Sequence, residues 1–404
     1  MGSAWRLLWV LALALPAPAF ADLSVQASGT EHYEYNSDVY QVPSSASLPA
    51  GLTGTRLGDS YFSEAAQLAA AYLVSNQLLY LTLNGDRVQY DRFTGLNHTD
   101  YTAEGGWDWE AGSIWDGFLD VSRIRSMVSF YNLIGSNLVL QTEQREVGKV
   151  RLQFLPDWRT AVTGMTREVD QPQTNDPSLS VKESSGRFDL EYVGMAGLTS
   201  GVTASYLHGS FSGTQGVFAP TYNQRSGGLT VTDVFSGRST LRGEIGYTER
   251  TSDAASDNIS GLTGDVDYRI NLTGKTTAEV ELSRLINVYL ATTAADIENA
   301  AALRLNWQAT NKIAVNLQYT YTHRDLPGQG TTPPGSQRND NLNIGQLTVI
   351  YRALSWLVLQ PYFQYQSLAS GSAPGFDFNS KSYGIEFTLQ WEKGVIPVRT
   401  PVVY

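Results

Sequence analysis

The 404-residue chain has no cysteine, which excludes disulfides, thiolate metal centres and a cysteine nucleophile and leaves the fold to packing and hydrogen bonds. Beyond its first residues it also lacks any run of the ~18 consecutive apolar residues that a membrane-spanning helix needs. If the mature chain sits in a membrane, it must cross with strands. Positive charge is scarce as well: 28 lysines and arginines stand against 39 aspartates and glutamates, a net charge of -11. That balance argues against a nucleic-acid partner, because a phosphate backbone calls for a basic surface. Only four histidines occur, His32, His98, His208 and His323, and none falls in H-x-x-x-H or H-E-x-x-H. They read as exposed loop histidines, and no metal or cofactor is expected. Ser205 and His208 are three apart on a strand, which turns them to opposite faces and denies a nucleophile–base pair. No glycine-rich phosphate loop opens a helix, so an enzyme is not expected.

Met1 to Ala21 carry Arg6, an apolar run from Leu7 to Leu15, Pro16 and then Ala19-Phe20-Ala21. This is the pattern of a secretory signal peptide, 1–21, with an A-x-A cleavage site and a mature start at Asp22. The run is too short to span ~30 Å of hydrocarbon.

The mature chain alternates with a period of two. Tyr101, Ala103, Gly105, Trp107 and Trp109 oppose Thr102, Glu104, Asp108 and Glu110, and Ile313, Val315, Leu317, Tyr319 and Tyr321 oppose Asn316, Gln318 and Thr320. One face is apolar and the other polar, the signature of a strand between two environments. Short connections such as Ser75-Asn76 and Pro156-Asp157 alternate with long polar ones such as Asn36 to Ser60, Arg167 to Ser180 and His323 to Arg338. This asymmetry predicts an all-β, transmembrane, antiparallel up-and-down barrel of about 18 strands, with 16 the next best count. An even number puts both termini on the periplasmic side. Apolar-face aromatics near strand ends predict two interfacial girdles: Trp109, Trp158, Tyr192, Tyr268, Trp307, Tyr351 and Trp391 at the short-turn end, and Tyr33, Tyr35, Phe62, Tyr206, Tyr247, Tyr321, Tyr365 and Tyr383 at the other. A soluble sandwich would also alternate, but would not need the leader, the alternating loops and the paired girdles together.

The last strand carries Ser382, Gly384, Phe387 and Leu389, closed by Trp391. This resembles the polar-x-Gly-x-x-aromatic-x-hydrophobic terminal strand that barrel-assembly machinery reads. The barrel is expected over 22–391, with 392–404, including Pro397 and Pro401, as a periplasmic tail. Pro361 is expected to force a local bulge in an otherwise regular strand. Glu34-Tyr35-Asn36-Ser37-Asp38-Val39-Tyr40 resembles the start of the β-barrel porin type 2 family, with the Asp and Asn positions exchanged. Gly105-Gly106-Trp107-Asp108-Trp109, Leu140 to Arg145 and Leu155-Pro156-Asp157-Trp158 are similar to its exopolysaccharide-operon branch, the EpsL-like outer-membrane proteins. The resemblance implies an outer-membrane barrel tied to polysaccharide biosynthesis and export, and supplies no catalytic residues.

The residues themselves point to the polar face as the functional surface. The parities above turn Glu104, Asp108, Glu110, Asp189 and Glu191 inward, and likewise Glu244, Asp265, Asp267, Glu279 and Glu281. Asp116, Asp120 and Glu386 join them, against only four inward bases, Arg151, Arg187, Arg242 and Arg304. A net negative, pore-lining field results. Tyr80, Phe118 and Tyr362 are expected as inward aromatics. Three functions fit: a passive conduit for exopolysaccharide, a diffusion porin for small solutes, or a closed structural or adhesive barrel. Expected partners are outer-membrane lipid, polysaccharide, and periplasmic export or assembly machinery. The oligomeric state is open, and the connection Asn36 to Ser60 is a candidate plug.

Overall fold

The computed structural model describes residues 23–42, 57–132, 137–172, 179–194, 197–212, 221–235, 237–253, 258–289, 294–326, 338–371 and 377–393. The expected leader 1–21, and the tail from residue 394 on, lie outside them. The described chain is almost entirely strand. In order these are β1 (Leu23–Asn36), β2 (Asp59–Val74), β3 (Gln77–Tyr90), β4 (His98–Ala111), β5 (Trp115–Met127) and β6 (Leu140–Leu155). Next come β7 (Trp158–Gln171), β8 (Leu179–Val193), β9 (Thr199–Ser212), β10 (Thr221–Phe235), β11 (Ser239–Ser252) and β12 (Ile259–Thr273). The last are β13 (Thr276–Tyr289), β14 (Ala294–Gln308), β15 (Ile313–Leu326), β16 (Arg338–Leu354), β17 (Leu357–Ser370) and β18 (Phe378–Lys393).

Each strand pairs antiparallel with the next, and β18 returns to β1, so the 18-stranded sheet closes on itself. The seam keeps one register from Val25↔Lys393 to Asn36↔Ser382. Closure leaves no open edge, which is the condition for a sheet to survive in hydrocarbon. Strands ~4.8 Å apart and tilted ~40° give this wall a backbone radius of roughly 18 Å. Connections at one end are short, as at 75–76, 156–157 and 355–356, and those at the other end are longer, as at 37–58 and 327–337. Gly112 (φ 67°) takes the left-handed position in the short turn between β4 and β5, where a Cβ is disfavoured.

The expected count is the observed one. Pro361 does not produce a bulge. It interrupts the β16 ladder between Tyr362↔Thr348 and Leu359↔Tyr351 without shifting register, because a missing N–H removes a bond and leaves spacing unchanged. The irregularity lies instead at Arg352/Leu354, beside the short turn.

Facing obeys the expected parity. On β3, Leu79, Leu81 and Leu83 are 47%, 45% and 40% exposed, while Tyr80 and Thr82 are 6% and 2%. The apolar parity is the outer wall, and its exposed area is what a bilayer covers. Trp158, Tyr192, Trp307, Tyr351 and Trp391 mark its short-turn end. At the long-loop end the outward tyrosines donate sideways to the next strand: Tyr206 to Asn223 Oδ1 (2.6 Å), Tyr319 to Asn343 (2.8 Å), Tyr321 to Asn341 (2.8 Å) and Tyr365 to Asn379 (2.9 Å). His208 and His323 bond the same asparagines, Asn223 and Asn341, each at 2.9 Å through Nδ1.

Candidate functional site

The inner wall is polar, but its aromatics are built into it. Tyr80 stands opposite Gly106, Tyr222 opposite Gly209, and Tyr362 opposite Gly384. A Cβ on any of these glycines would collide with the facing ring. Each tyrosine therefore lies flat over its neighbour's backbone and leaves the lumen clear. Tyr80, Phe118, Glu104, Asp120 and Lys149 share the lining of a cavity of about 870 Å³ against β3 to β7. Asp108 and Glu110 stand further toward the short turns on β4, opposite Phe118 and Asp116.

From β5 to β15 the wall is a ladder of ion pairs. Arg151 holds Asp116 at 2.6 Å, and Arg159 holds Glu191. Arg187 joins Asp189 and Glu244, both at 2.8 Å, and Arg304 joins Glu279 (2.5 Å) to Glu281 (2.9 Å). Nearer the long loops, Arg167 bridges Glu143 (3.0 Å) and Glu183 (3.1 Å). Tyr222 donates to Glu183, Arg250 lies 3.6 Å over the Tyr222 ring, and Arg324 bridges Asp296 and Glu298, both at 3.1 Å. Partly exposed pairs of this kind contribute only ~0–1 kcal/mol each. Their main effect is on the field along the lumen. The expectation of four inward bases was too low: Arg145, Lys149, Arg159, Arg167, Arg250, Arg269 and Arg324 also reach inner-wall cavities or inward acids. Five of the ten residues expected to line the pore, Asp189, Glu191, Glu244, Glu279 and Glu281, stand in these ion pairs, and Glu104 lines the cavity beside Tyr80. Asp265 and Asp267 stand opposite Glu244 and Glu281 on β12, without an ion pair among the described residues.

The remaining sector, β15 to β18 and β1, is different. Asn316, Gln318, Gln346, Thr348, Gln360 and Gln364 line a cavity of about 460 Å³ together with His32, Glu34, Tyr362 and Glu386. No lysine or arginine lines it among the described residues. Glu34 accepts from Tyr61 (3.0 Å) and from Tyr362, whose hydroxyl also meets His32 Nε2 at 2.8 Å. Gln360 and Thr388 both donate to Glu386 Oε1, at 2.6 and 2.9 Å. His32 thus belongs to the inner wall, and the His98 side chain is only 4% exposed beside Asp100. Reading both as exposed loop histidines was wrong, because the wall buries them at the strand ends.

Two long connections fold into the mouth. Val39 and Tyr40 are buried with Val88, Tyr90, Phe93, Leu96, Phe130 and Val139, and the Tyr40 ring centroid lies 4.9 Å from those of Phe93 and Phe130. Asp59 anchors this cluster by accepting backbone N–H groups of Ser60, Arg92 and Phe93. Gln41 donates to Gln366 on β17 (3.3 Å) and accepts from the backbone N–H of Tyr131 (3.3 Å). Tyr131, between β5 and β6, stacks on Phe378 at 6.1 Å and packs against Leu342 and Leu368. Those residues belong to β16, β17 and β18, which even by the shorter arc of the wall lie beyond β4, β3, β2 and β1 from β5. The connection therefore crosses the opening. Asp38 sits at its root, 4% exposed, with the Val42 backbone N–H donating to its carboxylate (3.1 Å). Burial pushes its carboxyl up to about 6 from an ordinary 3.8, partly offset by those backbone donors. Of the candidate plug Asn36 to Ser60, residues 43–56 lie outside the described residues.

Residues 222–391 match the family model "Putative beta-barrel porin 2". The match begins in β10 and ends in β18. The chain is a closed 18-stranded antiparallel β-barrel whose second half is similar to that porin family. Among solved structures it is similar to the outer membrane protein OpdK of Pseudomonas aeruginosa, at 12% identity and TM-score 0.48, covering 91% of this chain and 99% of that one. OpdQ of the same organism gives 13% identity and TM-score 0.48, with 91% and 98% covered. The ferric-catecholate import receptor Fiu of E. coli K12 gives 9% and 0.47, with 92% and 82% covered. Comparison with curated protein sequences gave no match.

Proposed function

We propose that this barrel is a passive outer-membrane conduit for a sugar polymer, exported behind the leader 1–21, with its termini and short turns in the periplasm. The observation that carries the reading is the amide-rich sector of the lumen, where Gln318, Gln346, Gln360 and Gln364 stand beside Glu386 and the flush ring of Tyr362 without a competing cation among the described residues. Planar amides and carboxylates exchange paired hydrogen bonds with sugar hydroxyls, and a flat ring offers a stacking face; both are weak, as a conduit requires. The sequence resemblance to exopolysaccharide-operon barrels supports the same substrate class. Residues Glu104, Asp108 and Glu110 of β4, with Asp265 and Asp267 of β12, then act as pore-lining charges.

The test is single-channel recording in a planar bilayer with neutral gluco-oligosaccharides of graded length. Transient current block should lengthen with chain length, and Gln318→Ala/Gln346→Ala/Gln360→Ala should shorten it. Block unaffected by those changes defeats the polymer reading. A second reading, a diffusion porin for small solutes, is favoured by the bridged mouth, since Tyr131 on Phe378 narrows the entrance. It predicts conductance without length-dependent block, whereas a barrel with no conductance is a structural one.

A further inference from the structure

The outer wall carries a basic feature where an apolar one is the rule. In the register of β3, β4 and β5, Leu83, Ala103 and Arg123 form one row, and Gly85, Tyr101 and Arg125 the next. Arg87, opposite Thr99, stands above them on β3. Directly opposed residues of an antiparallel pair share a face. Here that face is the outer one: Leu81, Leu83, Leu119 and Val121 have the same parity and are 45%, 40%, 50% and 51% exposed. Thr102, Ser122 and Ser126, of the other parity, line the inner cavity.

Strand geometry sets Arg123 and Arg125 ~7 Å apart, and Arg125 ~12 Å from Arg87, with Tyr101 between them. Among the described residues none of the three arginines makes an ion pair or a hydrogen bond, whereas the lumenal Arg151, Arg159, Arg167, Arg187, Arg304 and Arg324 are all paired. The acids nearest in register are Glu64, opposite Arg87, and Glu146, diagonal to Arg123. Glu146 is already engaged by Gln144 and Thr166. Height matters too. Arg123 and Arg125 lie eight and ten residues above Trp115 at the short-turn end of β5, or roughly 21 and 26 Å along the barrel axis at a tilt of ~40°. The apolar belt of such barrels is ~25 Å tall, so the pair stands at its upper edge, where a lipid phosphate lies and where an outward arginine is tolerated.

We propose that Arg123 and Arg125, with Arg87 and the face of Tyr101 beside them, bind the phosphates of an anionic glycolipid in the outer leaflet. The inference rests on the proposed orientation of the barrel, with its long loops outside the cell. Its test is lipid retention by the purified full-length barrel in neutral detergent, read by native mass spectrometry with bis-phosphorylated lipid A as the probe. The wild type should retain the lipid. R123Q/R125Q should bind about 30-fold more weakly, which at ~1.4 kcal/mol per decade corresponds to ~1 kcal/mol for each arginine. R123K/R125K, which keeps the charge and loses the planar fork, should fall between them. Fully dephosphorylated lipid A should bind the wild type as weakly as lipid A binds the glutamine variant. Heat-modifiable gel mobility confirms that each variant is folded. Equal retention by the wild type and R123Q/R125Q, or of lipid A with and without its phosphates, overturns the proposal. Displacement by an equal concentration of inorganic phosphate overturns the lipid assignment. Sidedness is read separately with Thr94→Cys in this cysteine-free chain: labelling on intact cells by an impermeant maleimide is expected. Labelling only after permeabilisation refutes the outer-leaflet placement while leaving conduction untouched.

Discussion

Asp38 makes docking of the mouth segment sensitive to pH. When Asp38, Val39 and Tyr40 are seated against Phe93 and Phe130, the Asp38 carboxyl is held near 6 instead of 3.8. The docked state therefore binds a proton more tightly than the undocked one. By linkage, docking is strongest below about pH 4 and weakens as pH rises through 6. A difference of about two pKa units makes it weaker above that window by up to ~3 kcal/mol. Single channels should dwell in a low-conductance level at pH 4 and open increasingly as pH rises from about 4 to 6. Asp38→Asn keeps the side-chain oxygen that accepts the Val42 N–H and removes the titration. Its channels should stay docked across the whole range. Acidification acts on the whole barrel, so the comparison of variant with wild type, and not the wild type alone, carries the conclusion. A wild type with no pH response between 4 and 7.5, or an asparagine variant that tracks it, refutes the reasoning.

Facing and pairing give further expected outcomes. Leu317, 42% exposed on the outer wall, should cost ~2–4 kcal/mol when changed to Arg, against near neutrality for Gln318→Arg on the inner wall, measured by folding titration into vesicles. Tyr131→Ala removes the contact with Phe378 and should raise single-channel conductance without loss of heat-modifiable folding. The pore should prefer cations mildly, since the ~8 Å screening length at physiological salt is shorter than the radius of the wall. Asp265→Asn/Asp267→Asn should weaken that preference in reversal-potential measurements. Glu279→Gln/Glu281→Gln should weaken it more, because Arg304 loses both partners.

The architecture was legible in the sequence because a wall between lipid and water writes its two faces residue by residue. Leu317 and Gln318 are assigned by that contrast alone. It weakens at the long-loop end, where both faces meet water. There Arg145, Arg167 and Arg324 face the lumen as readily as Arg123 and Arg125 face out, and a charge no longer marks its side. Arg145, Arg167 and Arg324, missed as inward bases, come from this zone. Contacts across the mouth, such as Tyr131 on Phe378 or Gln41 on Gln366, leave no periodic trace, since they join residues distant in the chain. The Tyr-on-Gly pairs were half visible: Tyr80 and Tyr362 were identifiable as inward, but their glycines are recognisable as partners only once the register is known.

Those three pairs also bear on how the barrel is put together. Alternation penalises a slip of one residue between neighbouring strands, because every side chain then changes sides. It does not penalise a slip of two. Such a slip would set Tyr362 against Ser382 or Glu386 in place of Gly384, Tyr222 against Leu207 or Phe211 in place of Gly209, and Tyr80 against Glu104 or Asp108 in place of Gly106. In each case the ring meets a side chain where it now finds an empty notch. A ring and its notch thus act as a key cut early in the chain, another near its middle and a third in the last hairpin, rejecting the misalignments that polarity alone would let through.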